Sequence, residues 1–124
     1  MATFMKPFAP QTYAVMRIIF GLLFMSHGLS KLFGYPVPVP AMEAPLLYVA
    51  GGIELVGGAL VAIGLQTRWA AFVCSGMMAA AYWMAHGMRA FHPLANHGET
   101  ALLYCFGFLV IAAHGPGIWS ADRR

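Results

Sequence analysis

The residues that could carry chemistry in this sequence are a few charged and histidine side chains inside long apolar segments. Glu54 lies near the middle of one such segment, 45–64. A carboxyl group there has no water around it, so it must be paired, protonated or directed into an internal cavity. Such a group could exchange protons with a bound ligand. Glu54 is therefore the first candidate functional residue.

Partners for the buried acids can be predicted from depth along the helices. We take each apolar segment to cross a bilayer and its midpoint to lie at the bilayer centre, with a rise of about 1.5 Å per residue. Glu54 then lies at the centre and His27 about 4 Å from it. Lys31 and Glu99 both lie about 10 Å from the centre, toward the outer face. We expect His27 to pair with Glu54 and Lys31 to pair with Glu99. The alternative is that these pairs only fix the helix register and carry no chemistry.

Arg17 is a further candidate, because it belongs to a stripe of residues that recur at three- and four-residue steps. The stripe consists of Arg17, Gly21, Phe24, Gly28 and Lys31. Residues at that spacing share one face of a helix, and His27 flanks it. We expect this face to point toward the other helices.

The remaining histidines and the two cysteines argue against a metal or haem centre. Haem ligation by two imidazoles needs them at one height on facing helices, but His27, His86 and His114 lie at three different depths. His86 stays a candidate polar site residue. Cys74 and Cys105 stand alone in their segments, which predicts small apolar packing residues, and no zinc pattern occurs.

Four apolar segments must position these residues: 13–34, 45–64, 68–88 and 98–115. Each is long enough to cross the ~30 Å hydrocarbon layer. The 60% hydrophobic and 9% charged residues, with a mean hydropathy of +0.72, agree with a membrane protein. The outer helices of a soluble domain would need polar faces, and the strands of a membrane β-barrel would need apolar and polar residues in alternation. The four segments are continuously apolar, which argues against both. We predict one all-α domain over residues 1–124, an antiparallel four-helix transmembrane bundle.

The connections and the basic residues predict the topology. The alternating prolines of 36–40 favour an extended link, and the short turn 64–68 forces antiparallel neighbours. Lys6, Arg17, Arg68, Arg123 and Arg124 lie on one side, and only Lys31 and Arg89 on the other. This asymmetry predicts that both termini are cytoplasmic. The sequence has no basic stripe with interleaved aromatic residues, which is the pattern typical of nucleic-acid grooves, so we do not expect nucleic-acid binding.

Glycines in the first two segments are predicted to let the helices approach closely. Gly21 and Gly28 lie in the first segment, and Gly51 and Gly58 flank Glu54 in the second. Where lipid surrounds the helices, missing side chains permit close backbone packing. The alternative is that they leave room for a ligand beside Glu54.

The motifs of the chain, in their order and spacing, resemble the DoxX family of small four-span bacterial membrane proteins. The likeness rests on Arg17-x-x-x-Gly21, His27-Gly28-x-x-Lys31, GIELVGG at 52–58, GLQTR at 64–68, MAH at 84–86, FHPLANHGE at 91–99, ALLY at 101–104 and GPGIWSAD at 115–122. The resemblance implies a multi-pass protein of the bacterial cytoplasmic membrane. It also implies functional positions at Arg17, His27, Lys31, Glu54, His86 and Glu99.

The resemblance leaves three functions open. In the first, the protein is a membrane subunit or scaffold of a redox or thiol-stress system, and Lys31, Glu99 and the outer loop dock redox or detoxification enzymes. In the second, it binds or reduces a quinone, with Glu54 and His27 exchanging protons with the quinone oxygens and Lys31 stabilising a reduced anion. A small-solute or proton transporter is the third and would require a homo-oligomer.

Overall fold

The computed structural model describes residues 3–38, 44–84, 90–96 and 98–122, and every regular element in these ranges is helical. A 3-10 turn, Lys6–Phe8, is followed by α1 (Ala9–Phe33), α2 (Ala44–Ile63), α3 (Thr67–Tyr82), the one-turn helix α4 (Pro93–Asn96) and α5 (Glu99–His114). The long helices coincide closely with the predicted apolar segments. Residues 85–88 of the third segment lie outside the described residues.

Glycines in the left-handed region end the first two long helices. Gly34 has φ +72° and donates its N–H to the Ser30 carbonyl at 3.0 Å, which caps the end of α1. Gly64, also at φ +72°, ends α2, and Gln66 at φ +50° completes a turn to α3. This turn places α2 and α3 antiparallel. We call this end of the molecule the turn end.

Backbone contact between α1 and α2 is the closest helix packing in the described residues. A Cβ atom added at Gly21 would lie 2.5 Å from the Ala62 nitrogen, and one at Gly28 would lie 2.5 Å from the Leu55 nitrogen. One at Gly58 would lie 2.6 Å from the Met25 nitrogen. No side chain fits between these backbones. Gly51 also faces α1, because a Cβ atom there would lie 2.9 Å from the Leu32 side chain, so all four predicted packing glycines lie at the α1–α2 crossing.

The interior is formed by one face of each long helix. The buried residues of α1 include four members of the predicted stripe, and Lys31 is half buried beyond them. Phe24, Phe108 and Ile111 fill the centre, next to the free and buried Cys74 and Cys105. α3 packs mainly against α5, and smaller contacts join α2 to α3 and α1 to α5.

The outward faces of the helices are also apolar. Val56, Trp69 and Phe106 are 59%, 71% and 60% exposed. Two helical stretches, Lys6–Phe33 and Ala44–Ile63, are long and apolar enough to cross a membrane, and α5 is a shorter apolar helix. An apolar surface of this extent is stable against lipid rather than against water.

Candidate functional site

An ion pair between α1 and α2 is the centre of the candidate site. The Lys31 Nζ lies 2.8 Å from both carboxylate oxygens of Glu54. The Glu54 side chain is 1% exposed and that of Lys31 is 16% exposed. The predicted pairings of His27 with Glu54 and of Lys31 with Glu99 are therefore wrong. Lys31 and Glu54 neutralise each other, although depth counted at the Cα atoms predicted a different partner for each.

The direction of helical side chains explains this pairing. In a helix each Cα–Cβ bond tilts toward the N-terminus, so Lys31 extends back along α1 while Glu54 extends in the opposite direction along antiparallel α2. The two side chains approach each other and close the gap between their Cα depths. Gly51 leaves room for this approach, since a Cβ atom there would lie 3.1 Å from the Lys31 Cβ.

The ion pair lies in the wall of a cavity of about 390 Å³ between the four long helices. Its lining residues are Phe24, His27 and Lys31 of α1; Leu46, Val49, Ala50, Ile53 and Glu54 of α2; Met77, Met78, Ala80 and Ala81 of α3, with Met84 beyond it; and Thr100, Ala101 and Tyr104 of α5. Most of these are apolar. A cavity of this size, with a few convergent polar groups, is typical of a site for a small organic ligand.

His27 and Tyr104 supply further polar groups to the same cavity. Their rings lie 5.7 Å apart and almost perpendicular, and Tyr104 packs against Phe24 and Phe108. His27 therefore contributes to the site without bonding to Glu54. Sequence reasoning missed Tyr104, although its four-residue spacing from Thr100 and Phe108 could have placed it on an inward face of α5.

Two other predicted site residues lie apart from this cavity or cannot be assigned to it. Glu99 lines a separate groove between α1 and α5, of about 590 Å³, together with His92. His86 lies outside the described residues. The described part of the chain thus brings together only Glu54, Lys31 and His27 from the predicted set.

Arg17 is buried at the turn end, in a different environment. Its side chain is fully buried, and its guanidinium donates hydrogen bonds to five backbone carbonyls. The acceptors are Val61 and Ala62 at the end of α2, and Pro116, Ile118 and Trp119 after α5. A guanidinium has five N–H donors, so this set uses all of them. Arg17 therefore acts as a structural cross-link rather than as part of the cavity.

Asp122 completes the same end of the molecule. Its carboxylate accepts hydrogen bonds from the Gln66 and Thr67 N–H groups at 2.8 and 2.9 Å and from the Thr67 hydroxyl at 2.7 Å. These bonds cap α3 from a distant part of the chain. The hydrogen bond from the Thr67 N–H is the main reason that the Asp122 pKa lies below its ordinary value, and Arg17 lowers it further.

Two further contacts attach the end of α5 to this cap. The Tyr13 hydroxyl donates to the Gly115 carbonyl at 2.6 Å, and Arg68 donates to carbonyls in the last turn of α5, including Ala113 at 2.6 Å. We call Tyr13, Arg17, Arg68 and Asp122, with residues 115–122, the turn-end network. Sequence reasoning placed only Arg17 among the candidates and missed the network.

The cavity arrangement permits two kinds of polar contact with a ligand. The Lys31 ammonium can donate to a carbonyl or anionic oxygen, and the Glu54 carboxylate can accept from a hydroxyl. The pair carries no net charge, so a neutral ligand can bind without burying an uncompensated ion. A ring with oxygen substituents and an apolar body fits these features.

A helical fold that is apolar outside, with a buried ion pair in the wall of a cavity, defines a membrane protein with a polar site between its helices. The DoxX family model matches residues 12–87. An uncharacterized protein of Haemophilus influenzae is 38% identical over 127 residues, covering 97% of this chain and 95% of its own. The chain belongs to the DoxX family of membrane proteins.

Two other relatives have more informative names. The Escherichia coli inner membrane protein YqjF is 28% identical over 123 residues, covering 88% of each chain. CatD of Bacillus subtilis, named as a candidate oxidoreductase, is 39% identical over 59 residues, covering 44% of each chain. No solved structure matches the chain significantly.

Proposed function

We propose that the protein is a four-helix transmembrane bundle of the bacterial cytoplasmic membrane, with both termini cytoplasmic, that binds a quinone-class ligand in the Lys31–Glu54 cavity. The apolar outer faces support the membrane arrangement. Trp69 and Trp83, 71% and 61% exposed, lie near opposite ends of α3, and tryptophans are enriched near the ends of membrane-spanning helices.

The observation that carries the ligand proposal is the position of the ion pair. A pair that only fixed helix register would be stabilised by close packing on all sides, whereas this one faces a cavity of about 390 Å³. Charged groups within a membrane protein that face a cavity are typical of functional sites. The turn-end network shows that the same chain can enclose a charge completely.

A quinone matches the cavity in shape and in polarity. Its ring would lie against the apolar lining, including Phe24 and Met78, while one carbonyl accepts a hydrogen bond from Lys31. In the quinol form the hydroxyl would donate to Glu54, which can accept the proton. His27, in the same wall, would be the second group able to exchange a proton with the ligand.

Ligand binding to the purified protein tests this proposal. A short-tailed benzoquinone or naphthoquinone should bind the wild-type protein, and Glu54→Gln and Lys31→Met should each weaken binding at least about tenfold, the loss of one charge-assisted hydrogen bond. Glu99→Gln, which removes a carboxylate outside the cavity, is the matched control. Equal affinity in all four proteins would overturn the proposal.

A membrane subunit of a redox system is a second, compatible proposal, supported by the partial likeness to CatD. Electrons for a bound quinone would then come from a partner enzyme. Affinity purification of the tagged protein from native membranes should recover an oxidoreductase in a fixed ratio. Recovery of the protein without one, from membranes solubilised in mild detergent, would count against this second proposal.

A further inference from the structure

The walls of the cavity on α2 and α3 can be compared by height above the turn end. Ile53 lies ten residues before the end of α2, and Met77 lies ten residues after the start of α3. Ala50 and Ala80 are likewise each thirteen residues from the turn. Leu46 and Met84 are each seventeen residues from it. All six line the cavity, so both helices bound it at matched heights over about 10 Å.

The residues of these walls are more exposed away from the ion pair than beside it. Glu54 and Met78, at the inner end, are buried. Val49 is 61% exposed and Met84 is 69% exposed at the other end, and Ala80 between them is also exposed. Exposed lining residues on both helices place an opening of the cavity on the side where α2 and α3 lie next to each other.

The helix packing explains why the opening lies there. The short turn ties α2 to α3 at the turn end, and each helix packs more extensively against another helix, α2 against α1 and α3 against α5. Small side chains, Ala50 and Ala80, occupy the facing positions in the half away from the turn. Among the described residues, these two small side chains leave space between α2 and α3 at this level.

We propose that the cavity opens sideways into the bilayer between α2 and α3, and that its ligand is a lipid-dissolved molecule with an apolar tail. The polar ring would lie at Lys31 and Glu54, and the tail would leave past Ala80 and Val49. This inference rests on the proposed quinone-class site and deepens it. It assigns the ligand to long-tailed quinones of the membrane rather than to small water-soluble ones.

The effect of a tail on binding, in the wild-type protein and in a variant that blocks the opening, is the direct measure of this path. The same quinone ring carrying either a decyl or a methyl group would be titrated in nanodiscs, with each ligand expressed as its mole fraction in the lipid. Because each ligand is referred to the lipid phase, transfer of the tail from water contributes nothing to the comparison, and we expect the two forms to bind the wild-type protein about equally. Ala80→Trp should reduce the ratio of the two affinities at least about tenfold.

Gly76→Trp is the matched control, because Gly76 lies one turn from Ala80, is exposed, has open space around it and does not line the cavity. It should leave the ratio unchanged. An equal ratio in the wild-type and Ala80→Trp proteins would overturn the lateral path, whether or not ring binding changes. Failure of both ligands to bind the wild-type protein would instead overturn the proposed function, and this inference with it.

Discussion

Two buried charged sites in the described part of the chain, the turn-end network and the ion-pair cavity, show opposite solutions to burying charge. Arg17 is surrounded by backbone carbonyls that occupy all of its donors. Lys31 and Glu54 neutralise each other in the wall of a cavity. Both sites lie on the same helical stripe of α1. The charge alone therefore does not distinguish a structural site from a ligand site, whereas unfilled space beside it does.

This difference predicts that the turn-end network determines stability and that the cavity determines binding. Variants in the two regions should therefore separate the two properties. Substitutions of the charged residues that reduce stability and binding together, in either region, would contradict this division.

The largest expected effect is that of Arg17→Met on stability. The substitution leaves several buried carbonyls without donors and should lower the free energy of unfolding by about 3–5 kcal/mol. Unfolding in mixed micelles titrated with dodecyl sulfate measures this. Arg68→Met is the matched control: Arg68 donates to exposed carbonyls at the end of α5, so we expect a loss below about 1 kcal/mol. Similar losses in the two variants would contradict the structural role of Arg17.

Gly28→Ala should have the next largest effect, and it would act next to the cavity. Its methyl group would meet the Leu55 backbone at 2.5 Å, so α1 and α2 must separate beside the ion pair. We expect a loss of about 2 kcal/mol in unfolding free energy, together with weaker ligand binding. Gly52→Ala, where an added Cβ has open space, should have no such effect. A Gly28→Ala variant with the same unfolding free energy as the wild type would show that this crossing is not closely packed.

Asp122→Ala should have a smaller effect on stability that depends on pH. Loss of the cap should lower the unfolding free energy by about 1 kcal/mol at neutral pH. Since the folded state lowers the Asp122 pKa below its ordinary value of 3.8, the carboxylate stabilises the fold fully above that value. Its contribution disappears as the pH falls through the lowered pKa. The difference between wild type and variant should therefore shrink in strong acid, and a constant difference would count against the cap.

Glu54→Gln should change stability least. Lys31 lies near the end of α1 and is already partly exposed, so without Glu54 its long side chain can extend to the polar surface. We expect a loss of about 1 kcal/mol or less in the same unfolding assay, well below that of Arg17→Met. A loss as large as that of Arg17→Met would show that the ion pair is a structural cross-link as well.

Much of the fold could be predicted from the sequence because long apolar segments have few alternatives in a bilayer. The four segments coincide with α1, α2, α3 and α5, and the inward stripe of α1 follows from its spacing. The short helix α4 could not be predicted, since four residues provide no periodicity. The path of residues 115–122 back over the turn end depends on tertiary hydrogen bonds that no local pattern reports.

The candidate site could be predicted only in part. Glu54 and Lys31 were identified because charges are rare in apolar segments, but their pairing was not. Depth counted at Cα atoms ignores the length and tilt of a lysine side chain, which together exceed the separation that the count assigned. Arg17 was grouped with the site because sequence does not show which carbonyls a guanidinium will reach.

Photolabelling with an azidoquinone tests the central claim most directly, because it reports where a ligand binds. We predict that cross-links occur on cavity residues such as Ile53, Met77 and Met78, that unlabelled quinone suppresses them, and that Glu54→Gln removes them. Labels confined to the α1–α5 groove, for example at Leu103 and Phe106, or labels that unlabelled quinone does not displace, would contradict a quinone-class site at the Lys31–Glu54 pair.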